Sequence, residues 1–301
     1  MNSIELLPTW FLAIYVFFIG LCIGSFLNVA ILRGLVGDDV VLKRSHCPKC
    51  KNNLKWYMNI PLFSYVFLRG KCAFCKEKIS IQYPLIELST MCIFAYSYIK
   101  FGLEWKTLFA IIVASTLLIM SMTDLKEKIV ECNIAIGLAI TGFIYNWFVN
   151  NTFLDSLYGL IIAVLVMEIL AATGHLFKKG RAFGEADTYV AGALGACFGL
   201  NSLLTILTYT LISAALFTIP IFLYKQFKNN NKSVCILSIV FILTTLIYKN
   251  VAINWITFSI LIISGILLVI AILKNIKTEE SLTYLPLVPA FSIATLYFLF
   301  F

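Results

Sequence analysis

The most constraining feature of this chain is a series of apolar runs, each about as long as a lipid bilayer is thick. A helix needs about 20 consecutive apolar residues to cross the hydrocarbon core, where every backbone polar group must be satisfied internally. The runs therefore predict an all-α polytopic membrane protein with about 8–10 transmembrane helices. They cover roughly residues 10–32, 83–100, 106–123, 129–149, 153–177, 187–224 with a break near Gly199, 234–249, 252–273 and 282–301.

The composition supports the membrane class and explains the net charge. The 301 residues are 61% hydrophobic and 13% charged, with a formal net charge of +8. When the runs are threaded back and forth, all lysines and arginines fall on one side except Lys100, Lys106 and Lys249. Because cytoplasmic loops carry the Lys and Arg excess, we expect the N-terminus outside and the basic loops inside. These cations suit anionic membrane lipid, and no nucleic-acid partner is expected.

Four cysteines stand in the one sizeable polar segment, at about residues 34–82 between the first and second helices. Two C-x-x-C pairs separated by 21 residues match a tetrathiolate zinc site. A reducing cytoplasm disfavours disulfides, and a redox site would need only one pair. Because four thiolates leave no open position, we predict a structural zinc ion that stabilises a segment too small to fold on its own core. The predicted ligands are Cys47, Cys50, Cys72 and Cys75.

Two aspartates, Asp124 and Asp187, stand at ends of apolar runs on the predicted cytoplasmic side. An ionisable group at this depth is costly and by default marks a functional site. Two carboxyl groups held together cannot both ionise, so one can take a proton from water while the other polarises a scissile carbonyl. The pair predicts an aspartyl protease if the side chains meet. The simpler interpretation is that each aspartate caps a helix.

Two interpretations from other classes stay open. A cation- or proton-coupled transporter could bind its ion at the two aspartates, but it would be expected to carry acids nearer the span centres and paired broken helices. A non-catalytic scaffold could bind partners through the zinc segment and would tolerate the loss of either aspartate. With only two histidines and no phosphate-loop motif, neither a serine–histidine hydrolase nor a P-loop enzyme is indicated.

Several short motifs occur in a specific order around these sites. They are GSFLNV at 24–29, NIP at 59–61, LRGKC at 68–72, YPLIEL at 83–88, and FGEAD at 183–187. In this order, together with the cysteine pairs and Asp124, they resemble the type IV prepilin peptidase family, membrane aspartyl proteases of the GxGD type. The resemblance covers about residues 10–225 and returns weakly at 285–289.

The resemblance implies roles for individual residues. Asp124 and Asp187 would be the catalytic pair, and Gly184 and Ala186 would support the second aspartate. Ala186 replaces a signature glycine, which would strain the loop if that position needs a positive φ.

Four weaker supporting positions also match the family: Gly24, Ser25, Asn28 and Glu87. For Gly24 and Ser25, as for Gly20, close helix packing is the simpler explanation. For Glu87, the simpler explanation is a structural contact.

The resemblance further implies a bifunctional enzyme of the bacterial cytoplasmic (inner) membrane. It would cleave basic leaders from type IV prepilin and pseudopilin precursors, which serve pili or type II secretion, and then methylate the new N-terminus with S-adenosylmethionine. We expect four parts: an N-terminal helix (1–33), the zinc segment (34–82), a peptidase core (83–227) and C-terminal helices (228–301) that include an inserted pair at 234–273.

Overall fold

The computed structural model describes residues 9–34, 44–177, 184–228, 240 and 287–301. In these ranges the regular structure is helical, which confirms the predicted all-α class. A 3-10 turn at Trp56–Asn59 precedes α2, and a π-helical turn at Asn146–Asn150 extends α5. The α-helices are α1 (Thr9–Gly34), α2 (Phe63–Phe67), α3 (Gln82–Phe101), α4 (Trp105–Glu127), α5 (Cys132–Tyr145), α6 (Phe153–Phe177), α7 (Glu185–Lys228) and α8 (Val288–Phe300).

Five of the described helices are long and apolar enough to cross a membrane. These segments are Phe11–Arg33, Trp105–Glu127, Cys132–Asn150, Phe153–Ala172 and Glu185–Ala214. Helix α3 has 20 residues but includes Glu87 and Lys100, and α8 is a shorter apolar helix of 13 residues. Apart from residue 240, the predicted runs 234–249 and 252–273 lie outside the described residues. The sidedness of the membrane and the division into four parts stay predictions.

Helices α1 and α3 form one close pair because glycines line their contact. A Cβ added at Gly20 would lie 2.9 Å from the Cβ of Phe94, and one at Gly24 would lie 2.8 Å from the Cα of Glu87. Glycine at these positions lets the two backbones approach, as small residues do between membrane helices. The packing interpretation of the glycine spacing is therefore confirmed.

Helices α6 and α7 form the second close pair, at Gly159 and Gly195. A Cβ at Gly195 would lie 2.3 Å from the Gly159 carbonyl oxygen. Asn146 fastens this pair to the end of α5, because its Nδ2 donates to the Ser156 hydroxyl at 2.7 Å and to the Cys197 carbonyl at 2.9 Å. The three helices thus meet through backbone contact and one satisfied buried amide.

The long helix α7 is broken at Gly199, which confirms the predicted interruption. Gly199 has φ 74 and ψ 175, a conformation that glycine adopts without a Cβ penalty. The second half of the helix is capped by Asp155 in the first turn of α6, whose Oδ1 accepts a hydrogen bond from the Leu200 N–H at 3.2 Å.

Helix α4 lies in the core, and α8 packs against both α4 and α7. Ser292 of α8 donates to the Leu117 carbonyl at 3.2 Å, and Ser213 of α7 donates to the Ala290 carbonyl at 3.1 Å. At the other end of α8, Lys100 donates to the Phe300 carbonyl. The first turn of α8 is thereby fixed at the end of α4 that carries Asp124.

Candidate active site

Asp124 lies in the last turn of α4 and is 3% exposed. Its carbonyl accepts a hydrogen bond from the Lys128 N–H at 3.0 Å, and Lys128 ends the helix in the left-handed conformation with φ 56. A carboxylate at a helix C-terminus faces the negative end of the helix dipole, so this aspartate does not stabilise its own helix as a cap. The capping interpretation is wrong for Asp124.

Asp187 lies in the first turn of α7 and is 6% exposed. Its Oδ2 accepts a hydrogen bond from the Gly184 N–H at 3.1 Å, which is the carboxylate half of a capping box. Gly184 therefore contacts the aspartate that it was predicted to support. Ala186 lies within the first turn of α7 and is not among the described residues with positive φ. Alanine in place of the signature glycine therefore causes no backbone strain at this position.

The fold brings the two aspartates to the same end of the helix bundle. Their carboxyl groups lie close enough to interact electrostatically, although one comes from the end of α4 and the other from the start of α7. The backbone amide of Val288, at the start of α8, also interacts electrostatically with the Asp124 carboxyl group. Among the described residues, Asp124 Oδ2 is buried and has no hydrogen-bond partner. One oxygen of the pair is thus free for a proton, a water molecule or a substrate carbonyl.

Two neighbours of this pair were not predicted as site residues. Val288 follows directly on Leu287 in the weak family match at 285–289, and that match was the only sequence signal for it. Glu168, on α6, accepts a hydrogen bond from the Thr188 hydroxyl at 3.2 Å. This contact brings a third acid, from α6, to the residue that follows Asp187 on α7.

The four predicted cysteine ligands form one cluster, in which all sulfur atoms lie within 4.8 Å of one another. The Sγ atoms of Cys47 and Cys75 are 3.9 Å apart, and all four cysteines are free. In a tetrahedral zinc site with Zn–S bonds of about 2.3 Å, neighbouring sulfurs are about 3.8 Å apart. The spacing fits a zinc ion and is far longer than the S–S bond of about 2.05 Å in a disulfide.

The two halves of the cluster repeat the same backbone hydrogen bonds. The Lys51 N–H donates to the Cys47 carbonyl at 2.9 Å, and the Lys76 N–H donates to the Cys72 carbonyl at 3.1 Å. Both lysines are left-handed, with φ 58 and φ 59. In the second turn, the backbone amides of Cys75 and Phe74 lower the pKa of the Cys72 thiol to about 7, whereas burial and the neighbouring thiols raise the pKa of Cys75 to about 11. A stabilised thiolate at Cys72 favours zinc binding.

Glu87 joins the cluster's segment to the membrane helices. It is 6% exposed, and its Oε2 accepts a hydrogen bond from the Leu62 N–H at 2.8 Å. The Ser25 side chain also interacts with this carboxyl group. Nearby, the fully buried Asn28 donates from Nδ2 to the Tyr83 carbonyl at 3.1 Å. The four weaker family positions therefore lie along one contact between α1 and α3.

Family models match two successive parts of the chain. Residues 18–101 match the bacterial peptidase A24 N-terminal domain, and residues 111–219 match the type IV leader peptidase family. A prepilin leader peptidase/N-methyltransferase of Xanthomonas campestris is 33% identical over 231 residues, which are 68% of this chain and 80% of that protein. The chain belongs to the type IV leader peptidase family. The resemblance in the sequence motifs is thus confirmed.

Other members of the family show the same level of similarity. The prepilin leader peptidase/N-methyltransferase of Pseudomonas aeruginosa is 31% identical over 223 residues, covering 66% of this chain and 77% of that protein. The Myxococcus xanthus protein of the same name is 32% identical over 213 residues, but the aligned part is 69% of this chain and only 64% of the relative. No solved structure is significantly similar to this chain.

Proposed function

We propose that this protein is a prepilin leader peptidase that uses Asp124 and Asp187 as its catalytic pair and then methylates the new N-terminus. The observation that carries the proposal is the electrostatic interaction between two buried carboxyl groups, one at the end of α4 and one at the start of α7. Family membership and the names of the relatives support the activity. A transporter or a scaffold is not favoured, because neither accounts for both findings.

The reaction at this pair follows from proton sharing. Two adjacent carboxyl groups hold one proton between them, since like charges at short distance disfavour double ionisation. The ionised group takes a proton from the attacking water, and the protonated group donates to the scissile carbonyl oxygen. When the tetrahedral intermediate collapses, the C–N bond breaks and the leaving amine takes the proton that the first group had accepted from water. The hydroxyl formed from the carbonyl oxygen returns its proton to the other aspartate, so the pair again holds one proton.

A backbone amide interacts with each aspartate. The Gly184 N–H donates a hydrogen bond to Asp187 at 3.1 Å, and the Val288 amide interacts electrostatically with the Asp124 carboxyl group. Fixed backbone dipoles cost no reorganisation during the reaction, which favours a preorganised site. The substrate's leader would reach this site from the cytoplasm, while its apolar helix stays in the bilayer beside the bundle.

The cysteine cluster and the methyl donor belong to the second activity in this proposal. Cys47, Cys50, Cys72 and Cys75 would hold a zinc ion that stabilises the segment between α1 and α3. S-adenosylmethionine, when bound, supplies an electrophilic methyl group to the free N-terminal amine. The hydrogen bond from Leu62 to Glu87 supports a coupling of this segment to the membrane helices.

The experiment is incubation of the purified protein in detergent with a pilin-like precursor, with and without S-adenosylmethionine, followed by mass spectrometry of the product. We expect a shortened product in both reactions and an additional methyl group on its N-terminus only when the donor is present. An uncut precursor would refute the peptidase assignment, and a cut but unmethylated product would refute the second activity alone.

A further inference from the structure

The segment that carries the cysteine cluster exposes a continuous run of large apolar side chains. We call the side chains of Trp56, Tyr57, Ile60, Phe63, Val66 and Phe67 the aromatic face. Trp56 is 80% exposed and Phe67 is 81% exposed, and no residue of Trp56–Asn59 or Phe63–Phe67 is buried. Four of these side chains, those of Tyr57, Ile60, Phe63 and Phe67, also line a groove of about 400 Å³ whose walls are almost wholly apolar. Soluble surfaces rarely leave so large an apolar patch open to water.

The attachment of this segment fixes the level at which the aromatic face lies. The Leu62 N–H donates to Glu87 Oε2 at 2.8 Å, and Leu62 directly precedes α2. Glu87 is five residues into α3, which is about 7.5 Å along the helix axis at 1.5 Å per residue. The sequence predicts a membrane span at 83–100, so a contact this close to the start of α3 would hold the aromatic face beside the membrane surface.

The charge around the aromatic face selects one partner. Residues 44–78 contain eight lysines and arginines and a single acid, Glu77. This excess attracts the anionic headgroups of the cytoplasmic leaflet. It would repel a basic leader peptide, and it would equally repel the same face of a second copy of this chain. Exposed Trp and Tyr flanked by Lys and Arg are also the composition of segments that lie in the membrane interface.

We propose that the aromatic face lies in the interfacial layer of the cytoplasmic leaflet, with Trp56 and Phe67 among the upper acyl-chain carbons and the surrounding cations on anionic headgroups. The zinc-binding segment is then a membrane-surface module rather than a domain suspended in the cytoplasm. Substrates that diffuse in the bilayer would meet it without leaving the membrane.

The test uses Trp56 as its own probe in the full-length protein. The protein is reconstituted into liposomes of phosphatidylcholine and phosphatidylglycerol with brominated acyl chains, and the emission of Trp56 is obtained as the difference between the wild type and Trp56→Phe. The emission of Trp147, obtained as the difference between the wild type and Trp147→Phe, is the reference, because Trp147 lies in the π-helical end of a membrane span. We expect both components to be quenched by bromolipid and the Trp56 component to be protected from aqueous iodide.

Other outcomes overturn the proposal. Quenching of Trp56 by iodide and not by bromolipid would show a face open to water. Protection from both quenchers, unchanged when the protein is diluted in excess lipid, would show a face covered by its own chain; protection lost on dilution would show a second copy.

Paired variants and a change of lipid complete the test. Val66→Asp with Phe67→Asp should abolish the bromolipid quenching of Trp56 while leaving that of Trp147, whereas Val66→Leu with Phe67→Leu should preserve both. In liposomes of phosphatidylcholine alone, the Trp56 quenching should fall, because the electrostatic attraction is missing. Equal quenching in the Asp and Leu variants would overturn the proposal. The fluorescence readout does not depend on peptidase activity.

Discussion

Replacing Gly195 by alanine tests how the fold holds the two aspartates together. The new Cβ would lie 2.3 Å from the Gly159 oxygen, 2.6 Å from the Gly159 carbon and 3.0 Å from the Leu160 nitrogen. These are backbone atoms, so no side chain can rotate away. Ordinary contact would require α6 and α7 to separate by about 1 Å in a close-packed interior. Overpacking of this kind costs about 1–3 kcal/mol in unfolding free energy.

The same shift reaches the candidate site because Asp187 lies about two turns before Gly195 on α7. A misplacement of about 1 Å can reduce an enzyme's rate about 100-fold, so we expect Gly195→Ala to lose cleavage activity on this scale while still inserting into membranes. The assays are thermal unfolding in detergent and the initial rate of precursor cleavage.

Gly137→Ala in α5 is the matched control. A Cβ there meets nothing within 4 Å, and the substitution should stabilise the helix by about 0.5–1 kcal/mol without changing activity. If Gly195→Ala behaved like Gly137→Ala in both assays, the close α6–α7 contact would not position Asp187, and the reasoning would be refuted.

Three further predictions concern the zinc segment. Cys47→Ser should remove bound zinc, as measured by metal analysis of the purified protein, because three thiolates hold the ion less tightly than four; full zinc content would refute the assignment. Lys51 and Lys76 adopt a left-handed backbone conformation that costs a residue with a Cβ about 1 kcal/mol. Lys51→Gly and Lys76→Gly should each remove this cost and raise the zinc affinity about fivefold, as measured by competition with a chelator. An unchanged affinity would argue against strain there. Glu87→Ala should leave the Leu62 N–H without its acceptor, at a cost of about 1–3 kcal/mol, and should therefore speed proteolysis of the segment. Glu87→Gln keeps an acceptor and should retain most of the protection. Equal proteolysis of the wild type and Glu87→Ala would contradict this prediction.

Features with a local signature could be predicted from the sequence. Bilayer-length apolar runs gave the helices of the described ranges, and Gly199 marked the break in α7 because an interruption needs a residue free of Cβ strain. The two C-x-x-C pairs predicted the cysteine cluster because their spacing by itself brings two thiolates together on each turn.

Features that depend on distant pairing could not be predicted. The contact between Leu62 and Glu87 joins a loop to a helix across 25 positions, and no sequence pattern predicts it. The amide of Val288 reaches Asp124 from the far end of the chain, past residues 229–286. The capping alternative failed for Asp124 because this residue lies in the last turn of α4, whereas the next helix begins only at Cys132 with Glu131 as its N-cap.

The central claim is tested most directly by Asp124→Asn and Asp187→Asn, each assayed on two substrates. An intact pilin precursor reports cleavage, and a pilin already shortened to its mature N-terminus reports methylation with S-adenosylmethionine. Because asparagine cannot share a proton, we predict that both variants leave the precursor uncut and still methylate the shortened pilin, which shows that they are folded. Cleavage at the wild-type rate by either variant, with methylation intact, would contradict the account.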